Sequence, residues 1–496
     1  MLGLLSIVIF LPAIVALPTL LLGRRNQKTA RLLGLAGALA TFLVSMVILA
    51  TYPLGSSGAG FHMIERASWA SSFGMNYVVA IDGISLPLLL IATSLTLLAT
   101  AGSWDLINTR QGEYYALLLL LETGIIGVFT SLNLILFYVF WEIVLVPMFF
   151  LIGIWGGPRR KYASMKFLIF TYVGSVFMLF GFLALYIWTG SPSFDYSDLA
   201  SRVPTLSTPL QIAAAIAVFI GFAVKLPIVP FHTWLPDAHV EAPAPVSVLL
   251  AGLLLKMGGY GLIRFNLVLF PGANSILWPA FAAIGLITMI YGASVAIVQQ
   301  DLKRMIALTS INHMGYVLLG TFTAVAASTT IGLSGAVFQM FTHALAIGCL
   351  FLMSGYIHEH AGTRNIDELH GLRGKMPQTV TLLILASIAA MAVPGLANFI
   401  SEYQVIQGAL NANYLFILAI ITPALTVGYF LWMLRRVVMT PGVGPVSDLH
   451  LHSLLILLAF LVPLFVLGAY PGPLLNNIIN PAITKLFQPV FYAGGP

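Results

Sequence analysis

The sequence predicts an all-α, polytopic membrane protein of about 14 transmembrane helices, arranged as two inverted five-helix repeats with broken helices 7 and 12. Three observations lead there: the composition, the spacing of apolar runs, and the position of proline within two of them. Of 496 residues 59% are apolar and only 8% charged, against about 25% charged in ordinary soluble domains, and mean hydropathy is +0.98. The 22 basic and 16 acidic side chains are too few to cover a globule of 53.4 kDa in water, so lipid must be the solvent around most of the chain. Composition also excludes function classes. The single cysteine, Cys349, sits in an apolar run, which rules out an intrachain disulfide and any cysteine-held cluster or zinc ribbon. No Walker A sequence or strand-linked G-x-G-x-x-G occurs, which argues against nucleotide chemistry. The net charge of +6 is dispersed, with no basic run longer than Arg159-Arg160-Lys161, and points to membrane orientation, with no nucleic acid as partner.

Apolar runs bounded by polar or Gly/Pro punctuation place spans at 3–23, 32–51, 79–102, 114–131, 133–155, 163–188, 210–238, 242–269, 276–299, 304–325, 328–357, 378–410, 413–434 and 453–472. The first lacks basic residues ahead of its apolar core and is followed by Arg24, Arg25, Lys28 and Arg31, so it reads as a retained span with its N-terminus outside. Asp82, in Asp82-Gly83-Ile84-Ser85-Leu86-Pro87, opens the third span and is expected as an interfacial cap. Alternate loops then hold sixteen Lys and Arg on the inner side and four, Arg66, Arg202, Arg264 and Lys485, on the outer side. That asymmetry checks the count, because one missed helix would scramble every later loop. An even number of spans puts both termini outside. The chain divides into a three-helix segment (1–113), a first half (114–269, helices 4–8), a second half (276–436, helices 9–13) and a C-terminal helix and tail (437–496).

Two spans are interrupted, one at Val224-Lys225-Leu226-Pro227-Ile228-Val229-Pro230 and one at Met391-Ala392-Val393-Pro394-Gly395-Leu396-Ala397-Asn398. Proline removes an amide donor and clashes with the preceding turn. Backbone groups freed at membrane depth are tolerated only where protein or water satisfies them, and such breaks mark ion pathways. The offset between the breaks, close to that between Glu142 in the fifth span and His313 in the tenth, spans five helices and so inverts the second unit relative to the first. Inverted repeats with discontinuous helices are the architecture of secondary ion transporters.

Glu122, Glu142, Lys225, Lys256 and Glu402 lie well inside spans, with His313 and His343 alongside. Each charge at a helix centre costs about 2.5–3.5 kcal/mol to insert, so these positions call for a function. A proton relay supplies one: carboxylate, lysine and histidine alternate, and water fills the gaps. Burial penalises an ammonium and a nearby carboxylate restores it; Glu142 approaching or leaving Lys225 therefore makes a switch. Lys256 can take up the released proton and pass it through water or His313 to Glu402. His232 and His239, seven residues apart, do not form an i, i+4 ligand pair, so zinc is not expected. His358 with His360, and His450 with His452, read as solvated loop residues, and no metal site is assigned.

Several of these segments resemble a known family. Phe140-Trp141-Glu142-Ile143-Val144-Leu145-Val146-Pro147, the block Pro230-Phe231-His232-Thr233-Trp234-Leu235-Pro236-Asp237-Ala238-His239, Leu253-Leu254-Leu255-Lys256, Gln300-Asp301-Leu302-Lys303-Arg304 and Asn312-His313-Met314-Gly315 are similar to the antiporter-like membrane subunits of respiratory complex I. The resemblance implies a proton path through Glu142, Lys225 and Lys256. At the broken twelfth span, L-type, N-type and Mrp antiporter subunits usually carry lysine and M-type subunits glutamate; Ala397-Asn398-Phe399-Ile400-Ser401-Glu402 therefore resembles M. Glu122 and Asp82-Gly83-Ile84-Ser85 match M-type positions, and the chain ends without the lateral helix of the L type. The resemblance further implies L- and N-type partner subunits, a prokaryotic plasma or thylakoid membrane, and no cofactor in this chain. The quinone-like acceptor, iron–sulfur clusters and flavin would belong to partners. The alternative is a subunit of a Mrp-type cation/proton antiporter or a membrane-bound hydrogenase.

Overall fold

The computed structural model describes residues 3–23, 25–327, 329–439 and 448–492; Arg24, counted above as an inner charge, and both chain ends lie outside the described residues. Thirteen helices among the described residues are long and apolar enough to cross a membrane, and they match every expected span except the twelfth. That crossing is divided between Pro377–Ala390 and Ala397–Ala412. The seventh is broken as well, ending as Thr208–Lys225 and resuming at Trp234–Glu241. Both breaks fall at the prolines, where the helical hydrogen-bond ladder loses its donor.

Groups freed at the seventh break are satisfied internally, as membrane depth demands. The Trp234 indole Nε1 donates to the Val224 carbonyl at 2.9 Å, and the Val229 amide donates to the Thr288 hydroxyl of the ninth span (Pro271–Ile297) at 3.1 Å. Acidic residues after the break anchor the short helix: Lys166 contacts Asp237 at 2.7 Å, and the Glu241 carboxylate accepts the Arg159 amide at 2.8 Å. At the twelfth break the chain turns through Gly395, whose φ of +96° favours a residue without Cβ.

The eighth span (Ala244–Leu267) and the tenth (Leu302–Ala327) are enclosed along their whole apolar length, and the eleventh (Ile331–Ala361) nearly so. The first, second, thirteenth and fourteenth instead show side chains such as Ile14, Leu43, Leu431 and Leu455 to the exterior. This division gives the bundle an axis of enclosed helices within a lipid-facing shell. Helices buried all round have no polar stripe, so a charge on one of them must find its partner on a neighbouring helix. Around Lys256 the eighth span alternates between α-helix, Leu255–Gly261, and π-turns, Leu250–Leu254 and Leu262–Leu267, a distortion concentrated at functional sites.

Four expectations need correction. Within the all-α membrane fold, the third span begins at Ser85 rather than 79, because strands β1 (His62–Ala70) and β2 (Met75–Ile81) form an antiparallel hairpin before it. Apolar runs read alike for helix and strand, and the run through Val78-Val79-Ala80-Ile81 hid the boundary. Asp82 does cap, accepting the Ile84 and Ser85 amides at 3.0 Å each, but it is buried and ion-paired. Its partner is Arg264, assigned above to an outer loop and in fact fully buried inside the eighth span. Finally, His358 and His360 lie in the last turn of the eleventh span, and His452 lies in the first turn of the fourteenth, Leu451–Ala469, next to its cap His450.

Candidate functional site

The first half of the site gathers at the seventh break. An aromatic cluster packs the fifth, seventh and eighth spans together, with Phe137 against Phe265 at 4.7 Å and Trp141 against Phe222 at 5.6 Å. Lys225 ends its helix buried in that cluster, its Nζ 5.2 Å from the Trp141 ring and 5.6 Å from that of Phe167. Ring faces attract a desolvated ammonium. Among the described residues no ion pair within 4 Å joins Lys225 to Glu142, which follows Trp141 in the chain. Glu142 is half-buried, and its Oε1 is buried without a hydrogen-bond partner. The expected pair is therefore apart, with the lysine held by ring faces. Glu122, on the fourth span, is buried with both carboxylate oxygens unpartnered, so it touches none of the other candidates by hydrogen bond.

The second half is continuous. Lys256 Nζ donates to the Ala251 carbonyl at 2.7 Å and lies 2.6 Å from His343 Nδ1. The His343 ring stands edge-on to that of His313, centroids 5.2 Å apart. His313 Nε2 in turn lies 3.3 Å from Glu402 Oε1, close enough for an ion pair although not aligned as a hydrogen bond. All four side chains are buried. Lys256, His343, His313 and Glu402 thus form one file across the eighth, eleventh, tenth and twelfth spans. The order expected from sequence went from Lys256 through water or His313 to Glu402; the fold puts His343 between Lys256 and His313.

Uncharged polar groups, which a search for charge overlooks, surround the Glu402 end. Ser401 donates to Gln339 and to the Asn398 carbonyl, the latter at 2.8 Å, and the Asn398 amide is buried with neither side-chain atom partnered. Tyr316 shares a 2.7 Å hydrogen bond with Thr422. His239, weighed from sequence only as a metal ligand, is a further candidate. It is fully buried, stacked on Phe351 at 4.3 Å, with both ring nitrogens unpartnered. Its place just past the seventh break was the available signal. Close by, on the face that carries the basic loops, is a cavity of about 690 Å³ lined by Glu241, Lys303, Asp301 and Arg364. Lys303, one of the sixteen basic residues that the span count assigns to the inner loops, is buried and donates to the Ala242 carbonyl. Among the described residues no group of His, Cys, Asp and Glu could hold a metal ion.

Residues 131–426 match the family model described as NADH:quinone oxidoreductase/Mrp antiporter, TM. The chain belongs to this family. Of the candidates, Glu142, Lys225, Lys256, His313, His343 and Glu402 fall inside the matched segment, and Glu122 precedes it. Among relatives of this family member, "NAD(P)H-quinone oxidoreductase chain 4 1" of Synechococcus elongatus is 41% identical over 475 residues, covering 94% of this chain and 88% of the relative. "F(420)H(2) dehydrogenase subunit M" of Methanosarcina mazei is 36% identical over 491 residues, 97% of each. A chain of the solved structure "Respiratory complex I from Thermus thermophilus with bound NADH" superposes with a TM-score of 0.89 at 26% identity, covering 99% of this chain and 100% of that one.

Proposed function

We propose that this chain is the M-type, proton-translocating membrane subunit of a complex I-like quinone oxidoreductase. Electron transfer in partner subunits would drive a Glu/Lys/His relay in this one. The observation that supports this most directly is the buried file from Lys256 through His343 and His313 to Glu402, whose first three members sit on the most enclosed helices of the bundle. Protons would enter at the 690 Å³ cavity, pass Lys303 and His239, and reach Lys256. Lys225 and Glu142 would act as the switch, the ammonium resting on Trp141 and Phe167 while Glu142 is away and releasing its proton as the local field changes. Such a switch moves only if something binds or charges its two states differently, which a neighbouring subunit undergoing redox change can supply. On this reading L- and N-type subunits flank the chain in a prokaryotic plasma or thylakoid membrane, with both termini outside. Quinone-like acceptor, iron–sulfur clusters and flavin sit in partners, and the donor is NAD(P)H, ferredoxin or F420H2.

The decisive variants are Lys225→Arg and Lys225→Ala in the assembled complex, reconstituted in liposomes and followed by a lumenal pH dye alongside quinone reduction. Arginine preserves the cation but cannot deprotonate in a protein, so both variants should lose donor-driven pumping. Wild-type pumping by Lys225→Arg would remove that lysine from the relay. Robust sodium- or potassium-driven proton exchange by the chain reconstituted alone would favour the antiporter alternative instead.

A further inference from the structure

We infer that the buried Arg264–Asp82 pair is a proton barrier, closing the end of the Lys256 file that faces the β1–β2 hairpin. The inference rests on the proton-translocating reading above. Lys256, Tyr260 and Arg264 lie at i, i+4 and i+8 on the eighth span, so they share one face, and helical side chains lean toward the N-terminus. Arg264 reaches back one turn to Tyr260, whose hydroxyl accepts from Arg264 Nε at 3.4 Å, and the Tyr260 ring packs against Phe129 at 5.6 Å. Arg264 Nη2 pairs with Asp82, while Nη1 is buried with no partner. The guanidinium is wedged between aromatic rings, 4.9 Å from that of Phe61 and 5.5 Å from that of Tyr260. Beyond the pair lies a cavity of about 370 Å³ that Arg264 and Asp82 themselves line, with Phe61, Tyr196 and the exposed Lys485. Without the pair, Tyr260 alone would stand between that cavity and Lys256, one turn earlier on the same span.

The chemistry suits a barrier and not a relay. A guanidinium keeps its charge and has no acceptor atom, so it cannot hand a proton on, and a fixed positive charge in a narrow polar path repels an approaching one. Asp82 accepts two backbone amides and the guanidinium, so its oxygens are already engaged. The charge that matters is that of Arg264, and Asp82 serves to hold it there. A purely mechanical pin between the third and eighth spans would depend on both partners equally, whereas a barrier depends on the arginine.

The test is the passive decay of an imposed pH gradient in liposomes holding the assembled complex, with no electron donor. Removing one partner of a buried pair strands the other charge, so the double variant Arg264→Gln with Asp82→Asn accompanies the single ones. Arg264→Gln and the double variant are expected to leak about tenfold faster than wild type, as loss of an electrostatic proton barrier predicts, while quinone reduction persists. Asp82→Asn, whose amide oxygen can still accept from the guanidinium and so keeps the arginine in place, should stay tight, and Tyr260→Phe added to the double variant should slow its leak. Equal leakage from Asp82→Asn and Arg264→Gln, or a double variant as tight as wild type, would reduce the pair to a pin. Gradient decay needs no pumping, so failure here leaves the relay reading untouched, just as wild-type pumping by Lys225→Arg would leave the leak result standing.

Discussion

His343 Nδ1 lies 2.6 Å from Lys256 Nζ, and the His343 ring stands edge-on to that of His313 on the Glu402 side. A charged lysine only donates, so Nδ1 must accept and the ring proton then sits on Nε2. On the relay reading, a proton delivered to Nδ1 would let another leave from Nε2.

His343→Ala should therefore lower donor-driven proton uptake by about tenfold or more, the low end of what positioned acid–base groups contribute. Quinone reduction should slow with it if coupling is tight. Proton uptake and reduction rates measured on the same liposomes check this, and wild-type uptake would exclude the ring from the path.

Glu402 and His313 act on each other, 3.3 Å apart and both buried. Glu402→Asp keeps a titratable carboxylate and should retain part of the pumping, whereas Glu402→Gln should lose it. His313→Ala combined with Glu402→Gln should be little worse than Glu402→Gln alone, because members of one unit are not additive. A double-mutant cycle on pumping rate decides.

Gly315, two residues after His313, lies at the contact of the ninth and tenth spans. A Cβ there would stand 2.7 Å from the Met289 nitrogen and 2.8 Å from the Gly285 oxygen, closer than atoms can sit. Small residues allow such close helix approach in membranes. Gly315→Ala should force the two spans apart, cost about 1–3 kcal/mol as overpacking does, and displace His313. Thermal unfolding of the solubilised complex, with pumping as the second readout, measures both effects.

Asp448 caps the first half of the broken twelfth span from outside it, accepting the Gln378 amide at 2.7 Å, the Thr379 amide at 3.2 Å and the Thr379 hydroxyl at 2.6 Å. Partial burial alone would raise its pKa, but these hydrogen bonds outweigh it and hold the carboxyl below its ordinary value. A folded pKa below the unfolded one stabilises above the unfolded value and is lost as pH falls through the folded one. Asp448→Asn should thus cost about 1 kcal/mol near neutrality, a typical cap, and the gap should close below about pH 4, near the ordinary carboxylate value. Melting curves of both proteins across that range test it.

How far sequence reaches depends on which property is local. Hydropathy, proline and the distribution of lysine and arginine act within one helix or loop, so the spans, both breaks and the depth of Glu142, Lys225, Lys256 and Glu402 were legible. The hairpin at 62–81 was not, because its apolar residues suit a strand or a helix alike. Tertiary structure decided which buried groups meet. Lys256 and His343 are 87 residues apart, and Asp82 and Arg264 are 182. Helix rotation and the close contact of small residues bring such pairs together, and neither leaves a mark in a single span. The same packing leaves Lys225 against the rings of Trp141 and Phe167, buries Arg264 where loop counting put it in solvent, and encloses His239 behind the seventh break. A charge in lipid must be satisfied, and only the arrangement of neighbouring helices determines by what.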